Sequence, residues 1–450
     1  MSSNKAPKNN VFYRNQNWHY PKITHGKGIY LYGEDGKDYI DGCSGAAVAN
    51  IGHGNEEIAE KTASQIKKLA FGHLSRFTTD CIENCAGKIA SLTPGDLNHV
   101  YFVSGGSEAT ETALKLARQY FVERDGGKTS KFKIISRWTA FHGNTIGSLS
   151  MTGIHGRRKI YDPLLLPFPK INQAYCYRCP YKSKYPECGL ACAYELEDTI
   201  LKNGAQNIAG FIAEPIIGAS APGVNPPQDY FKVIRKICDK YDVLLIIDEV
   251  MSGFGRTGKN FGIDHFDILP DIMTTAKGMS CGYTPLGAAI TNDEVFKTIM
   301  VKGSGNFIHG HTYAGNPLSA EIGNIVLDIC SRENYFLNAA KQGAYLRQKL
   351  QDLYQYSLVG DIRGKGLMLG IEFVKDQRTK QPFPASDKVK DIFTSSCLEE
   401  GLVMYPGGGS ADGVNGDHTL IAPPLNITKE EVDELFIRLE KGIKKTSKSL

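Results

Sequence analysis

The sequence predicts an α/β protein whose central sheet is mostly parallel and is flanked by helices. Between about residues 95 and 300, short apolar runs alternate with amphipathic helical patterns. Three of these runs are apolar on both faces, as expected for strands buried on both sides of a parallel sheet. After residue 315 the pattern changes to long helices with fewer strands, which indicates a separate and smaller α+β lobe.

The individual elements follow from periodicity and turn residues. Near the start, two alternating runs flank a turn at Glu34–Gly36 and predict a hairpin, and helical spacing predicts a helix over Glu56–Leu69. In the central part we expect strands at His99–Val103, Phe132–Ser136, Ile208–Ala213 and Val243–Ile247, and helices at Glu108–Phe121, Ala193–Asn203 and Tyr230–Tyr241. In the last part we expect helices at Pro317–Ser331, Asp387–Glu400 and Lys429–Lys444, and strands at Leu367–Phe373 and His418–Ala422.

Length and composition limit the class of protein. A chain of 450 residues is long enough for two or three packed domains, and its 41% hydrophobic and 22% charged residues are ordinary for a soluble globular protein. A net charge of +4 without a basic run argues against a nucleic-acid-binding protein. No apolar run could span a bilayer, and the polar residues 1–10 do not resemble a secretory signal. We therefore expect a cytoplasmic protein, with a mitochondrial location disfavoured.

A glycine-rich turn between a predicted strand and a predicted helix is the first candidate for chemistry. It reads Ser104-Gly-Gly-Ser-Glu-Ala. Glycines let the backbone approach an anion, and the free N–H groups at a helix N-terminus favour negative charge. Gly106 and Ser107 could therefore hold a phosphate. The alternative is an ordinary N-cap followed by Glu108 in the first turn.

A buried carboxylate and a buried amine follow two other strands. Asp248 ends the run from Val243 to Ile247, where α/β sheets place their ligands, and a buried carboxylate needs a cationic partner such as a protonated pyridine nitrogen. A structural salt bridge or a metal ligand is the alternative. Lys277 follows the apolar run Ile272–Ala276, and desolvation would make its amine neutral and nucleophilic. A phosphate anchor, an acid and an amine together are what pyridoxal 5′-phosphate (PLP) requires.

At this point the chain resembles the class III (ω-amino acid type) aminotransferases of PLP fold type I. The resemblance extends from Gly28 to about Leu439. Besides the glycine-rich turn, the matching motifs are Phe141-His-Gly-Asn-Thr, Glu214-Pro, Asp248-Glu-Val-Met-Ser-Gly-Phe-Gly-Arg-Thr-Gly, Ala276-Lys-Gly, His311-Thr-Tyr, Arg363-Gly-Lys-Gly-Leu and Ala422-Pro-Pro-Leu.

The resemblance implies a large PLP-binding domain at residues 56–316. It also implies a smaller α+β domain built from both termini, with residues 317–450 joined by residues 1–55. It implies a transaminase that moves an amino group from an amine or ω-amino acid to a 2-keto acid (pyruvate or 2-oxoglutarate) through a pyridoxamine phosphate intermediate. Partners would be these small molecules and a second copy of the chain, in a homodimer with shared active sites.

The resemblance also assigns roles to single residues. Lys277 would hold PLP as a Schiff base and carry the proton between two carbons, and Asp248 would bind the pyridine nitrogen. The other expected cofactor contacts are Gly106 and Ser107 at the phosphate, Phe141 and Val250 on the two ring faces, Glu214 and His142 as supports, and Thr312 on the phosphate of the neighbouring subunit. No catalytic metal is needed. For Phe141 the residue type alone favours core packing, and for Thr312 an ordinary loop hydroxyl.

Other functions remain open at this stage. Gly253-Phe-Gly-Arg-Thr-Gly fits the G-x-G-x-x-G pattern of dinucleotide-binding proteins, but no amphipathic helix follows it, so an NAD enzyme ranks lower. A PLP-dependent aminomutase or amino-acid racemase is the main alternative. A catalytically silent homologue would not need Lys277 and Asp248.

Two departures from the family pattern concern the substrate. Ala219 stands where many relatives have a glutamate that masks an arginine, and we expect Arg363 to bind the carboxylate of the keto acid, with a structural ion pair as the alternative. Ala46 and Ala47 stand where amine-selective relatives often have a Trp, so that side of the pocket is open unless Trp18, Tyr20 or Phe71 fills it. Diamines, ω-amino acids and arylamines all remain candidate donors.

A cluster of cysteines lies in an insertion rich in Pro and Tyr. Cys176, Cys179, Cys188 and Cys192 are enough for a tetrahedral zinc site, although the second pair has an unusual spacing. The favoured alternative is a packed loop of reduced thiols.

Overall fold

A computed structural model describes residues 10–450. Residues 1–9 lie outside the described part, so the structure does not test the expectation that the first ten residues are no secretory signal. None of the helices within residues 10–450 has the length and apolar character needed to cross a bilayer.

The strands form three sheets. In chain order they are β1 (Ile23–Lys27), β2 (Tyr30–Gly33), β3 (Asp38–Asp41), β4 (His99–Val103), β5 (Lys133–Arg137), β6 (Lys170–Ile171), β7 (Ile208–Ala213), β8 (Leu244–Asp248), β9 (Ile272–Thr275), β10 (Gly287–Thr291), β11 (Val359–Lys365), β12 (Met368–Asp376), β13 (Gln381–Pro382), β14 (Leu402–Val403), β15 (Tyr405–Gly407) and β16 (His418–Ile421).

The helices flank these sheets. They are α1 (Ser44–Ala47, a single kinked turn), α2 (Glu56–Lys68), α3 (Asp80–Leu92), α4 (Gly106–Arg124), α5 (Ile146–Met151), α6 (His155–Arg158), α7 (Ala191–Asn203), α8 (Tyr230–Lys240), α9 (Asp293–Lys297), α10 (Pro317–Arg332), α11 (Tyr335–Leu350), α12 (Val389–Glu399) and α13 (Lys429–Ser449).

The main sheet has seven strands in the order β4-β10-β9-β8-β7-β5-β6. Strands β9, β8, β7, β5 and β6 are parallel to one another, whereas β10 runs antiparallel to both of its neighbours, β4 and β9. Every residue of β7 and of β8 is buried, as their continuous apolar sequences predict. The expected mostly parallel sheet is therefore confirmed, with β10 as the one strand of opposite direction in it.

The N-terminal strands join the C-terminal part of the chain. Strand β3 pairs in parallel with β14, and Ile29 and Ile40 share a hydrophobic core with helices α11, α12 and α13. A separate antiparallel sheet, β11-β12-β16-β15, completes this smaller lobe. The pairing agrees with a small domain built from both termini, while the exact domain boundaries stay a prediction.

The parallel direction of β8 and β9 positions the candidate site. Asp248 is opposite Thr274 in the register of these two strands, so the chain leaves both strands at the same edge of the sheet. Lys277 follows β9 by two residues, and Asp248 is the last residue of β8. The adjacent strand β7 ends at Ala213, directly before Glu214. Three ionisable side chains that are far apart in sequence thus emerge at one edge.

Candidate active site

A buried acid–imidazole pair lies at the end of β8. Asp248 Oδ2 is 2.7 Å from Nδ1 of His142, and Asp248 Oδ1 accepts a hydrogen bond of 3.0 Å from the N–H of Val250. Both side chains are almost completely buried. The other nitrogen of His142, Nε2, is buried and has no partner within residues 10–450. The carboxylate is thereby oriented by two donors and retains lone pairs for a third.

Lys277 is a lysine whose charged form is disfavoured. Its Nζ donates a hydrogen bond of 2.8 Å to the carbonyl of Ala46. Burial of the amine is the largest effect and lowers its pKa from 10.5 to about 8, although Asp248 and Glu214 act in the opposite direction. Lys277 also has a φ of +44°, a backbone conformation that costs free energy in a non-glycine residue. The result is an amine whose neutral form, the base and nucleophile, reaches about half of the population near pH 8.

The carbonyl that accepts the hydrogen bond from Lys277 belongs to the turn Ser44–Ala47, which further hydrogen bonds hold in place. Asp41 Oδ1 accepts a hydrogen bond of 2.9 Å from the N–H of Gly45, and Ser44 Oγ donates one of 2.7 Å to the carbonyl of Ala422. Ser44, Gly45 and Ala47 all have positive φ values. The turn was not predicted, because no sequence pattern indicates that a backbone carbonyl will accept a hydrogen bond from a lysine 231 residues away.

The N-terminus of α4 is the place where the sequence predicts an anion site. No side chain within residues 10–450 caps this end of the helix. Gly106 lies against Val250, since a Cβ placed on Gly106 would come within 2.8 Å of Val250 Cγ1. Ser107 Oγ accepts a hydrogen bond of 3.1 Å from the N–H of Asn144. Gly106 therefore lies against Val250, and Ser107 contacts Asn144, a neighbour that the sequence reasoning missed; the roles of Gly106, Ser107 and Val250 stay a prediction.

Phe141 and Glu214 are connected directly. Glu214 Oε1 accepts a hydrogen bond of 3.0 Å from the N–H of Phe141, and its Oε2 accepts one of 3.0 Å from the N–H of Gly218. Burial raises the pKa of Glu214. The carboxyl thus fixes the backbone on which the predicted stacking residue Phe141 is carried, which is the supporting role expected of it.

The two positions that depart from the family pattern lie in one apolar cluster. Ala47 and Ala219 are both buried, and this cluster packs against Phe141. Trp18 and Tyr20 instead line surface cavities beside the N-terminal strands, and Phe71 makes an edge contact with Tyr313. Within this chain, therefore, none of the three proposed aromatic residues belongs to the cluster beside Phe141.

Arg363 is engaged with protein groups. Its Nη1 is 2.8 Å from Asp361 Oδ2 and 3.1 Å from Glu372 Oε2, and its Nε donates to the carbonyl of Pro222 at 2.9 Å. The guanidinium also lies 4.8 Å from the ring centroid of Tyr175. These contacts favour the structural ion pair over the carboxylate clamp, since two carboxylates already compensate the charge.

Thr312 is the expected site residue that lies apart from the others. It is exposed, on the segment between α9 and α10, next to Tyr313, which is 65% exposed. The structure shows no hydrogen bond between its hydroxyl and the other candidate residues within residues 10–450. The expected contact of Thr312 with a neighbouring subunit stays a prediction.

The G-x-G-x-x-G segment has a packing role. Gly255 and Gly258 lie directly against Phe336 and Ala340 of α11, where a Cβ would collide. Arg256 is completely buried and donates to four groups, Leu367 O, Pro423 O, Asn50 Oδ1 and Ser44 Oγ. Only a short 3₁₀ turn, Gly262–His265, follows. A dinucleotide site lacks its helix here, in agreement with the low rank given to an NAD enzyme.

The four cysteines of the insertion line one small cavity. All four thiols are free, and among residues 10–450 no group of three or more His, Cys, Asp or Glu side chains is arranged to hold a metal ion. Burial, with a smaller effect of the neighbouring thiols, raises the pKa of Cys192 to about 12. Zinc at this position stays a hypothesis, and metal analysis of the purified protein that finds no stoichiometric zinc would reject it.

The arrangement fits PLP on the protein's own geometry. An unoccupied lone pair of Asp248 suits a protonated ring nitrogen, an uncapped helix end suits a phosphate, and the flat ring of Phe141 suits stacking on a conjugated ring. Lys277 offers the amine for the aldehyde. A mostly parallel sheet that brings these groups to one edge defines a PLP-dependent enzyme of fold type I.

Comparison with known proteins specifies the class further. The family model described as "Aminotransferase class-III" matches residues 12–443. An uncharacterized aminotransferase, YodT of Bacillus subtilis, is 40% identical over 96% of each chain. The putrescine–pyruvate aminotransferase of Pseudomonas aeruginosa is 34% identical over 94% of this chain and 91% of its own. The solved omega transaminase of Pseudomonas jessenii in complex with PMP has a TM-score of 0.89 and 33% identity, over 96% of this chain and 93% of that one.

The chain belongs to the class III aminotransferases. As a member of this family it is an aminotransferase with PLP as its cofactor.

Proposed function

We propose that the protein moves an amino group from an amine or ω-amino acid donor to a 2-keto acid, with Lys277 as the covalent anchor of PLP and the proton carrier. The observation that carries the proposal is the lowered pKa of Lys277, about 8, beside the buried Asp248–His142 pair. A base works best when its pKa is close to the working pH. Two relatives, one named a putrescine–pyruvate aminotransferase and one named an omega transaminase, support this type of donor.

Each residue has a defined task in this proposal. Asp248 holds a proton on the pyridine nitrogen, and its carboxylate is oriented by His142 and by the N–H of Val250. When bound, PLP acts as an electron sink for the carbon that loses a proton. Lys277 Nζ would accept the proton lost by the donor's Cα and would return it two atoms further along, at the carbon that the cofactor's aldehyde supplies. The carbonyl of Ala46 keeps the amine at its place between these events.

The visible spectrum of the purified protein tests the proposal. With PLP, a band at about 400 nm, well beyond ordinary protein absorption, should appear and should disappear when a suitable donor is added. Lys277→Ala should bind PLP without forming the covalent Schiff base and turn over negligibly. A protein that stays colourless with added PLP would refute the proposal. Arg363→Ala tests the carboxylate clamp in the same assay, because an unchanged KM for the keto acid would reject it.

The aminomutase and racemase alternatives give different products. A racemase should invert its substrate with no keto acid present, and an aminomutase should move the amino group within one molecule. A transaminase should form a new amine only when an acceptor is supplied. Product analysis with and without pyruvate therefore separates these activities.

We further propose a homodimer in which Thr312 contacts the cofactor phosphate of the second subunit. The support is the exposed segment that carries it, which also exposes the apolar side chains of Ile308 (77%) and Tyr313 (65%). Apolar side chains grouped at a surface are typical of an interface. Light scattering should give twice the mass of the chain, and Thr312→Ala should weaken PLP binding without changing that mass. A monomer with full activity would contradict the dimer.

A further inference from the structure

Arg157 is a cation beside the candidate site that has no task so far. Its guanidinium carbon lies 4.4 Å from the ring centroid of Phe141, the residue expected to stack on the cofactor. The residue is half-buried, in the short helix α6. Its charge is close enough to Lys277 to help lower the pKa of that amine. Arg157 therefore shares the electrostatic environment of the reacting groups.

All guanidinium donors of Arg157 are free, whereas Arg256 and Arg363 each leave one buried nitrogen, Nε and Nη2 respectively, without a partner within residues 10–450. Within residues 10–450 its guanidinium has no hydrogen bond and no ion pair, and the only hydrogen bond that the residue donates is from its backbone to Ile154. Arg256, the other cation that acts on Lys277, donates to four protein groups. Arg363 is paired with Asp361 and Glu372. Among these three, Arg157 alone can offer a fork of N–H donors to a ligand.

The chain around Arg157 is held in place while its side chain stays available. Arg158 Nη1 donates to the carbonyls of Leu149, Ser150 and Thr152 at 2.8–3.1 Å. The ring of His155 stacks on Trp138 with 4.6 Å between centroids. The backbone N–H of Gly153 is bound to Ala140, next to Phe141. A fixed backbone with an unpaired guanidinium is what preorganised recognition of an anion needs.

We propose that Arg157 binds the anionic group of an amino donor and so selects donors whose carboxylate or sulfonate is remote from the reacting amine. The inference rests on the proposed transaminase function. The guanidinium lies over one face of Phe141, and the proposal assigns the flat ligand to the opposite face. An anion at Arg157 is thus separated from that ligand by the thickness of an aromatic ring. The donor must therefore carry several bonds between its amine and its anionic group.

Three donors of similar length test the selection. 5-Aminopentanoate, 1-aminopentane and 1,5-diaminopentane share a primary amine and end in an anion, a methyl group and a cation. The wild-type protein should bleach its visible band with these donors in that order of kcat/KM. In Arg157→Gln the ratio of acid to neutral donor should fall by about 10- to 100-fold, the value of one charge-assisted bidentate contact. Arg157→Glu should favour the diamine.

The neighbouring Lys159 provides the control variant. Lys159→Gln removes a positive charge two residues further along, from an exposed side chain, and should leave the ratio unchanged. If Arg157 only clamps Phe141, Arg157→Gln should slow acid and neutral donors equally. An unchanged ratio in Arg157→Gln would overturn the inference, even if the transaminase function is correct.

A binding measurement separates this inference from the proposed function. Pentanoate has the same anion and no amine, so it cannot react. Calorimetric titration of the PLP-loaded protein with pentanoate should show binding that weakens by about tenfold or more in Arg157→Gln and stays as in the wild type in Lys159→Gln. Equal binding to all three proteins would overturn the assignment to Arg157. This result does not depend on whether any donor is turned over.

Discussion

His142 Nδ1 and Asp248 Oδ2 are 2.7 Å apart in the interior of the protein, although 106 residues separate them in the chain. The imidazole therefore determines which way the carboxylate points. The other nitrogen of His142, Nε2, has no partner within residues 10–450, so the imidazole ring is oriented through Nδ1 alone. A positioned carboxylate at the ring nitrogen of a cofactor acts electrostatically, and such effects are among the largest in catalysis.

Replacing Asp248 by Asn should show the size of this effect. The amide keeps the shape and cannot stabilise a protonated ring nitrogen, so kcat should fall by about 10²- to 10³-fold. His142→Asn should be milder, because an amide N–H can replace Nδ1 as a donor. Single-turnover kinetics with a donor that bleaches the band would measure both. If Asp248→Asn retained wild-type kcat, the carboxylate would have no role at the ring nitrogen.

The pH dependence of cofactor capture should report on Lys277. Its pKa of about 8 means that the neutral, reactive amine increases as the pH rises through that value. The rate at which cofactor-free protein acquires the visible band should therefore rise between pH 7 and pH 9 with a midpoint near 8. Stopped-flow absorbance measures it. A flat profile over this range would contradict the lowered pKa.

The same pKa has a consequence for stability of the cofactor-free protein. The folded state binds the Lys277 proton less tightly than the unfolded chain does, since the pKa is about 8 when folded and 10.5 when unperturbed. Between these values the unfolded state holds more protons, so stability rises with pH; below pH 8 the full penalty, at most about 3 kcal/mol, is present. Lys277→Met should remove it. Urea unfolding at pH 7, 9 and 10.5 should show a stability advantage of the variant that shrinks with increasing pH.

Gly106→Ala should weaken cofactor binding. The added methyl group would meet Val250 Cγ1 at 2.8 Å and push Val250, an expected ring contact, out of its place. We expect PLP affinity to fall by about tenfold or more, since overpacking typically costs about 1–3 kcal/mol. Gly87→Ala, at a helical position with open space around it, is the control. Equal PLP affinity in the two variants would show that Gly106 is not needed for close packing.

Loss of Arg363 should be felt as loss of stability. Arg363→Met leaves Asp361 without its cation and Glu372 with Arg178 as its remaining one, and removing one partner of a buried pair costs up to about 3–5 kcal/mol. If Arg363 serves as a structural ion pair, the KM of Arg363→Met for the keto acid should stay within about twofold of the wild-type value, which is a small change in free energy. Thermal unfolding and acceptor kinetics together decide, because a raised KM with intact stability would restore the carboxylate clamp.

The sequence predicted the elements whose burial is visible in the pattern. Strand β7 has the expected bounds, Ile208–Ala213, because a short run that is apolar on both faces is typical of a strand buried on both sides. Strand β10, Gly287–Thr291, was not predicted, since glycine and two alanines give little strand propensity. Its place is decided by pairing with β4 and β9, which is tertiary information.

The candidate site was predictable where a residue ends a strand and not where a partner comes from elsewhere. Asp248 and Lys277 follow apolar runs and could be selected on that ground. The pairing of Arg363 with Glu372 depends on the antiparallel register of β11 with β12, which the sequence does not print. Arg157 gave no signal at all, since an unpaired cation is recognised only when its surroundings are seen.

The buried Arg256 limits how the pocket can be redesigned. Its guanidinium donates hydrogen bonds to Ser44 and Asn50 in the first part of the chain and to Leu367 and Pro423 in the last part. Arg256 itself lies in the segment that follows strand β8 and Asp248. The turn that presents the Ala46 carbonyl to Lys277 is therefore fixed to both ends of the chain at once. Exchanging the first 50 residues for those of a relative would require matching partners at all of these places. Variation of donor preference is accordingly simplest through single side chains, such as Ala47 and Ala219, on an unchanged backbone.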